Sequence, residues 1–338
     1  MKILVTGSAG FLGSWVAERM LDLGHDVVGV DNLVGGSVDN VDKRYDLTYG
    51  DVCDLELMTR AARECEVVYH CAALAYEGLS VFSPSMVVHN IVGGTVTVAT
   101  AAIQAGARRF VNCSSMARYG EAKTPYEERF VPRPVDPYGL AKLQAEQQLN
   151  LLGEIHGMEV VHLVPHNIYG PRQKYDDPFR NVASIFANSM LQGKRPRIYG
   201  DGKQVRCFSY IADVLPVFEK VLDCPLTHLG EVFNVGPDEG AISIDTLYTL
   251  IACKTDFYPR WIYRLYEDPR PCEVKHAVCS SQKIREAFGI EPNRTLLSDG
   301  IQILVEDIRR RGPKPFVYHL PIEIDSPKVP RTWKERLI

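Results

Sequence analysis

An apolar run, Lys2 to Gly7, passes through Ser8-Ala9-Gly10-Phe11-Leu12-Gly13 directly into a stretch of helical period. Three glycines spaced by two residues each, between a strand and a helix, constrain the fold more than any other feature of the chain. Such a turn brings bare backbone against a pyrophosphate, which then sits on the positive end of the helix. A tight strand-to-helix turn would use glycine too, so the surroundings decide. Leu12, Val16, Met20 and Leu23 mark one helix face, and Gly24 suits the left-handed residue that closes a helix. The next apolar run, residues 26 to 31, ends in Asp31, 18 residues after Gly13. A carboxylate there accepts hydrogen bonds from a ribose and repels a 2′-phosphate, so NAD is expected in preference to NADP.

The same alternation continues. Buried strands are predicted at 46–49, 67–71, 109–113 and 160–164, with helices between them, such as 54–64, where Leu55, Met58 and Ala62 align. This is the pattern of an α/β protein with a Rossmann-like, doubly wound parallel sheet. At 338 residues the chain exceeds the roughly 250 to 300 that one core supports, which predicts a second, smaller C-terminal lobe. We expect a dinucleotide domain at 1–168, joined by part of 204–236. A substrate lobe is expected at 169–203 and 237–312, where turn signals such as YGPRQ and YGDG are frequent. A Pro-rich tail, 313–338, should wrap the surface in extended form.

Charge narrows the partners. Lys and Arg total 38 against 42 Asp and Glu, a formal charge of −4, which offers nothing to attract nucleic acid or an anionic membrane. No apolar run approaches the ~20 residues needed to cross a bilayer, and strand one starts without a cleavable leader, so a cytoplasmic location is expected. The nine cysteines lack the short paired spacing of a zinc site and are read as reduced thiols. His162 and His166 are four apart, but Pro165 lies between them in a β-rich run, so no metal is expected.

Tyr138-Gly139-Leu140-Ala141-Lys142 opens a helix behind Asp136 and Pro137, and four residues of separation put Tyr138 and Lys142 on one face. A fixed ammonium favours a phenolate and turns a tyrosine into a usable base. The opposite face, read as Ala141, Ala145, Leu149 and Leu152, would supply the core and leave the pair free for chemistry. The strand 109–113 runs into Ser114-Ser115-Met116-Ala117-Arg118-Tyr119-Gly120, and wound sheets bind ligands at the carboxyl ends of their strands. A serine hydroxyl there can polarise a substrate oxygen or simply end the strand.

Together the TGxxGxxG turn, the Asp ending strand two, the SSMARYG segment and YxxxK resemble the extended short-chain dehydrogenase/reductases that act on nucleotide sugars, and among them UDP-sugar 4-epimerases. The resemblance continues through Asp51-Val52, Asn90 with Gly94-Thr95, Asn167 to Arg172, Tyr199 to Gly202, Val205-Arg206 and Arg270-Pro271. It implies a catalytic trio of Ser115, Tyr138 and Lys142. It also implies cofactor contacts from Gly7, Gly10, Phe11, Leu12, Gly13, Asp31, Asn32, Asp51, Val52 and Asn90, besides Tyr138 and Lys142. Asn167, Asn181, Tyr199, Arg206 and Arg270, with Ser115, fall where the family holds a UDP-linked sugar. It further implies a homodimer in which the helical segments 85–105 and 137–156 pack across a two-fold axis.

Departures bear on the reaction. The family's 4,6-dehydratases carry an Asp-Glu pair just after the catalytic hydroxyl, where this chain has Met116 and Ala117. Epimerisation at carbon 4 through a transient 4-keto sugar is therefore the primary expectation. A dehydratase using another acid, such as Glu77 or Glu121, a 4-ketosugar reductase, and a non-catalytic NAD-binding protein are the alternatives. Arg118, His166 and Cys207 depart from the family's usual residues and suggest an atypical sugar pocket, with Arg118 and Arg172 as candidate receptors for a sugar carboxylate.

Overall fold

The computed structural model describes residues 1–338 except 228, 258–262 and 293. Its centre is a parallel sheet of seven strands: β1 (Lys2–Thr6), β2 (Asp26–Asp31), β3 (Leu47–Tyr49), β4 (Val67–His70), β5 (Arg109–Cys113), β6 (Glu159–Pro165) and β7 (Glu231–Val235). The spatial order is β7-β6-β5-β4-β1-β2-β3. Central strands β1, β4 and β5 are buried almost throughout, as strands covered on both faces must be. The order reverses beside β1, and that switch point opens a crevice at the carboxyl ends of the strands.

One face of the sheet is covered by the helices Phe11–Asp22 and Ile211–Lys220, whose Val16, Met20, Val214 and Phe218 pack on Ile3, Val5, Tyr69 and Leu163. The other is covered by Leu55–Ala61, Gly94–Ala105 and Pro137–His156 around Leu4, Val68, Phe110 and Val160. A separate core forms where Phe186, Leu247, Ile251, Leu304 and Ile308 meet beneath three short two- and three-stranded sheets.

The predicted helix 85–105 is continuous but not uniform. Pro84–Val88 and Gly94–Ala105 are α-helical, and His89–Gly93 between them forms a π-turn, a feature that often marks functional positions. This corrects the membrane argument in part, because Pro84–Ala105 is long and apolar enough by composition to span a bilayer. Its Val98, Ala99, Ala101 and Ala102 lie in the core against the sheet.

The tail does more than wrap the surface. Beyond Gly312 it runs extended and then forms a helical turn, Arg331–Lys334, that buries Thr332 and packs Trp333 among Tyr76, Leu79, Phe82 and Phe179.

Candidate active site

A cavity of about 480 Å³ runs along the carboxyl ends of the strands. At one end lies the glycine turn. Gly7 has φ +70°, a conformation open to glycine, and a Cβ on Gly13 would collide with the Gly7 carbonyl oxygen. Gly10 caps the helix Phe11–Asp22 without a side-chain acceptor, so the first-turn N–H groups of Phe11, Leu12 and Gly13 stand at the cavity wall. Asp31 ties the turn together, its carboxylate accepting from Ala9 N at 3.0 Å and Leu33 N at 2.7 Å. Burial raises the Asp31 pKa, and those backbone N–H groups oppose the rise.

Asn32, Val52 and Asn90 line the same end. Asn90 sits in the π-turn and accepts from Leu74 N at 2.8 Å. Asp51 is exposed and is not among the lining residues; it accepts from Asn32 Nδ2 at 2.9 Å and so acts on the cavity through a neighbour.

Ser115, Tyr138 and Lys142 meet at the middle of the cavity. Ser115 caps the short turn Met116–Arg118, accepting from Ala117 N at 3.2 Å. Asp136 caps the helix Pro137–His156 through a hydrogen bond from Gly139 N at 2.8 Å, and Ser80 accepts from Tyr138 N at 3.1 Å. The pair is not on a face opposite the core. At 100° per residue Tyr138, Ala141, Lys142, Ala145 and Leu149 share one stripe, and Tyr138 and Lys142 are only 7% and 5% exposed. The pair reaches the cavity because the buried stripe ends there.

The electrostatics also differ from the expectation. Burial raises the Tyr138 pKa, and the Ser115 hydroxyl opposes it. The Lys142 ammonium donates instead to Cys113 O at 2.7 Å, and burial lowers its pKa. Asp136, missed at the sequence level, also lines the cavity with Glu77, and burial followed by the charge of Glu77 pushes its carboxyl up to about 7.

At the far end are the remaining predicted residues. Asn167 donates to Cys207 O at 2.9 Å, and Asn181 caps the helix Val182–Leu191 while donating to Ile168 O at 3.1 Å. Arg206 is aligned by the carbonyls of Val205 and Val274, at 2.9 and 2.7 Å, and Arg270 pairs with Glu273 at 3.2 Å. Tyr199 lies under the Arg270 guanidinium, 5.0 Å from ring centroid to Cζ. All five line the cavity, together with Arg180 and Ile338, which the sequence did not single out.

The suspected carboxylate receptors are engaged elsewhere. Arg118 is buried against Glu146 at 2.8 Å, and Arg172 pairs with Glu18 and stacks 3.9 Å over the Trp15 ring. Neither lines the cavity. His166 bonds Pro237 O at 3.0 Å and Cys207 contacts Glu239 O at 3.6 Å, so these two departures brace the loop after β7 and do not themselves line the cavity. Glu121 is exposed outside the cavity.

Residues 3–236 match the family described as the NAD dependent epimerase/dehydratase family. The UDP-glucose 4-epimerase of Mycolicibacterium smegmatis is 32% identical over 328 residues, covering 92% of this chain and 100% of that one. The crystal structure of UDP-glucose 4-epimerase from Thermotoga maritima with UDP-glucose aligns with a TM-score of 0.84 at 31% identity, over 92% of this chain and 99% of that chain. UDP-glucuronic acid 4-epimerase from Bacillus cereus, in complex with UDP-glucuronic acid and NAD, aligns with a TM-score of 0.82 at 26% identity, over 92% and 100%.

Proposed function

Since the chain belongs to the NAD-dependent epimerase/dehydratase family, we propose that it inverts carbon 4 of a nucleotide-diphosphate sugar, UDP-linked, through a transient 4-keto sugar. One observation carries this reading. Ser115, Tyr138 and Lys142 share a cavity with the glycine turn and Asp31, and the residues following the serine, Met116 and Ala117, can neither give nor take a proton.

The residues fit NAD. Gly7 and Gly13 let the strand-to-helix turn close on its own backbone, which sets the helix N-terminus at the cavity for a pyrophosphate, and Asp31 suits a ribose without a 2′-phosphate. Bound NAD supplies a hydride acceptor and donor. Gly7, Gly10, Phe11, Leu12, Gly13, Asp31, Asn32, Val52 and Asn90 would hold it, with Asp51 acting through Asn32.

Tyr138 takes the proton from the sugar 4-hydroxyl and later returns it, while Ser115 hydrogen-bonds the same oxygen. Lys142, steadied by the Cys113 carbonyl, binds the ribose. Asn167, Asn181, Tyr199, Arg206 and Arg270 hold the nucleotide diphosphate, the arginines through charge-assisted pairs. On this reading 1–168 with part of 204–236 is the cofactor domain, and 169–203 with 237–312 the substrate lobe.

A panel of nucleotide sugars followed by NMR tests the proposal. Formation of a 4-epimer without net consumption of cofactor supports it, and stoichiometric turnover of added cofactor identifies a 4-ketosugar reductase instead. A second reading, 4,6-dehydration, is favoured by one feature only: Glu77 and Asp136 place carboxyl groups in the cavity.

We further propose that the enzyme is a cytoplasmic homodimer. Leu140, Leu151 and Ile155 stand 46%, 56% and 71% exposed on the helix Pro137–His156, an apolar edge that a second copy would cover. Light scattering that shows only monomer at micromolar concentration would count against it.

A further inference from the structure

The segment from Gly312 onward is anchored at both sides of the cavity. It begins on the helix Val182–Leu191, where Asn188 exchanges two hydrogen bonds with Lys314, at 2.8 and 3.0 Å. It then crosses to residues 82–86. There Ile324 N donates to Phe82 O at 2.8 Å, Ser83 Oγ donates to Pro321 O at 2.7 Å, and the Glu323 carboxylate accepts from the N–H groups of Ser85 and Met86, both at 2.9 Å. Those last contacts cap the helix that leads into Asn90. Finally the chain returns to the nucleotide end. Thr332 Oγ1 meets Tyr199 Oη at 2.6 Å, Trp333 stands edge-on to Tyr199 with centroids 6.3 Å apart, Arg197 Nε donates to Leu337 O at 3.1 Å, and Ile338 lines the cavity.

Packing holds the Tyr199 ring between Arg270 and Trp333, and its hydroxyl end is a separate matter. Its strand, Arg197–Tyr199, is three residues long, pairs among the described residues with Leu265–Glu267 alone and is followed at once by Gly200 at φ +73°. Arg270 covers one face of the ring and so bears on its plane, but it does not touch the hydroxyl end. The hydroxyl is held by Thr332, and Thr332 is itself 1% exposed and therefore fixed by packing.

We propose that the C-terminal segment braces the nucleotide-sugar site from behind, reaching the cavity only at Ile338, and that Thr332 is the positioning residue that sets Tyr199 for the nucleotide diphosphate. This rests on the reading above, in which Tyr199 contacts that part of the substrate. Holding the ring in its bound orientation removes an ordering cost from binding and leaves chemistry at the distant Tyr138 untouched. The effect belongs in affinity.

Thr332→Val keeps shape and burial and deletes the hydroxyl. In the full-length NAD-loaded protein it should weaken binding of UDP, or of dTDP if that binds better, about five-fold by calorimetry, the loss of roughly one hydrogen bond. KM should rise by the same factor with kcat nearly unchanged and NAD content intact. Thr332→Ser should restore both, and Tyr199→Phe should match Thr332→Val with no further loss in the double variant. Unchanged UDP affinity in Thr332→Val, additive losses in the double variant, or a raised KM that appears only with a lower melting temperature would each overturn the inference. Failure of the unaltered protein to bind either nucleotide would overturn the assignment of the site itself, and this inference with it.

Discussion

Arg118 and Glu146 form an ion pair, Nη2 to Oε2 at 2.8 Å, with side chains 7% and 3% exposed, and Ser114 donates to the second carboxylate oxygen. Two charges so thoroughly removed from water depend on each other, because removing one leaves the other unpaired at a cost of about 3–5 kcal/mol. Arg118→Ala should therefore lower stability by that order in urea melts while leaving the sugar preference of the surviving folded enzyme unchanged. Arg118→Met combined with Glu146→Leu should recover most of the loss. A switch in sugar preference without destabilisation would show that Arg118 reads the substrate after all.

Tyr138→Phe removes the proton acceptor and leaves the nucleotide contacts at the other end of the cavity in place. Turnover should fall by about 10²–10⁴, with UDP-sugar affinity nearly intact. Lys142→Ala should damage both turnover and NAD binding. Near-native rates in Tyr138→Phe would remove the tyrosine from the mechanism.

Asp31 has two tasks, accepting from Ala9 and Leu33 within the turn and presenting a carboxylate to the ribose. Asp31→Ala should therefore weaken both dinucleotides in calorimetric titration, and NAD more than NADP. A native preference for NADP would contradict the assignment.

The raised Asp136 carboxyl makes stability depend on pH. Its folded pKa, about 7, lies above the unfolded value of about 3.9, so the folded protein holds the extra proton between those limits. The associated stability is complete below pH ~4 and is lost as pH rises through 7. Asp136→Asn preserves the cap acceptor and abolishes the titration. Its melting temperature relative to the parent should climb from pH 4 to pH 8, and Glu77→Gln should narrow that window. Parallel melting profiles across the range would refute the coupling.

Dehydration across carbons 5 and 6 requires loss of the carbon 5 proton, whereas epimerisation at carbon 4 leaves it in place. In deuterated water the product should be the 4-epimer of its substrate, unchanged in mass and with no deuterium at carbon 5. Deuterium there, with a product lighter by one water, would assign the reaction to Glu77 or Asp136.

Strands β1 to β6 were legible to within a residue or two because buried parallel strands leave uninterrupted apolar runs between turn signals. Strand β7 was not, since Glu231 and Asn234 break its run; their partners, Thr227 with Lys283 and Tyr119 with Tyr126, exist only in the fold. The same is true of Arg118 and Arg172, whose carboxylate partners lie far along the chain. Motif spacing found the trio and the glycine turn, but it carried no sign of Asp136 in the cavity or of Thr332 on Tyr199, which arise from tertiary packing alone. At 100° per residue Tyr138 and Lys142 fall on the same stripe as Ala141 and Ala145, so the face that bears the pair is legible from helical geometry alone.

Strand β7 lies beside β6 although the chain leaves the sheet at Pro165 and returns only at Glu231. During synthesis on the ribosome, β6 therefore emerges as an open edge, with Val161, Leu163 and Val164 uncovered, and stays so until Val235 has been made. Everything from residue 166 to 230 must be translated before the dinucleotide half is sealed. A fragment ending in that interval keeps the glycine turn and the trio but leaves β6 as an unpaired parallel edge, a template for pairing with its own copies.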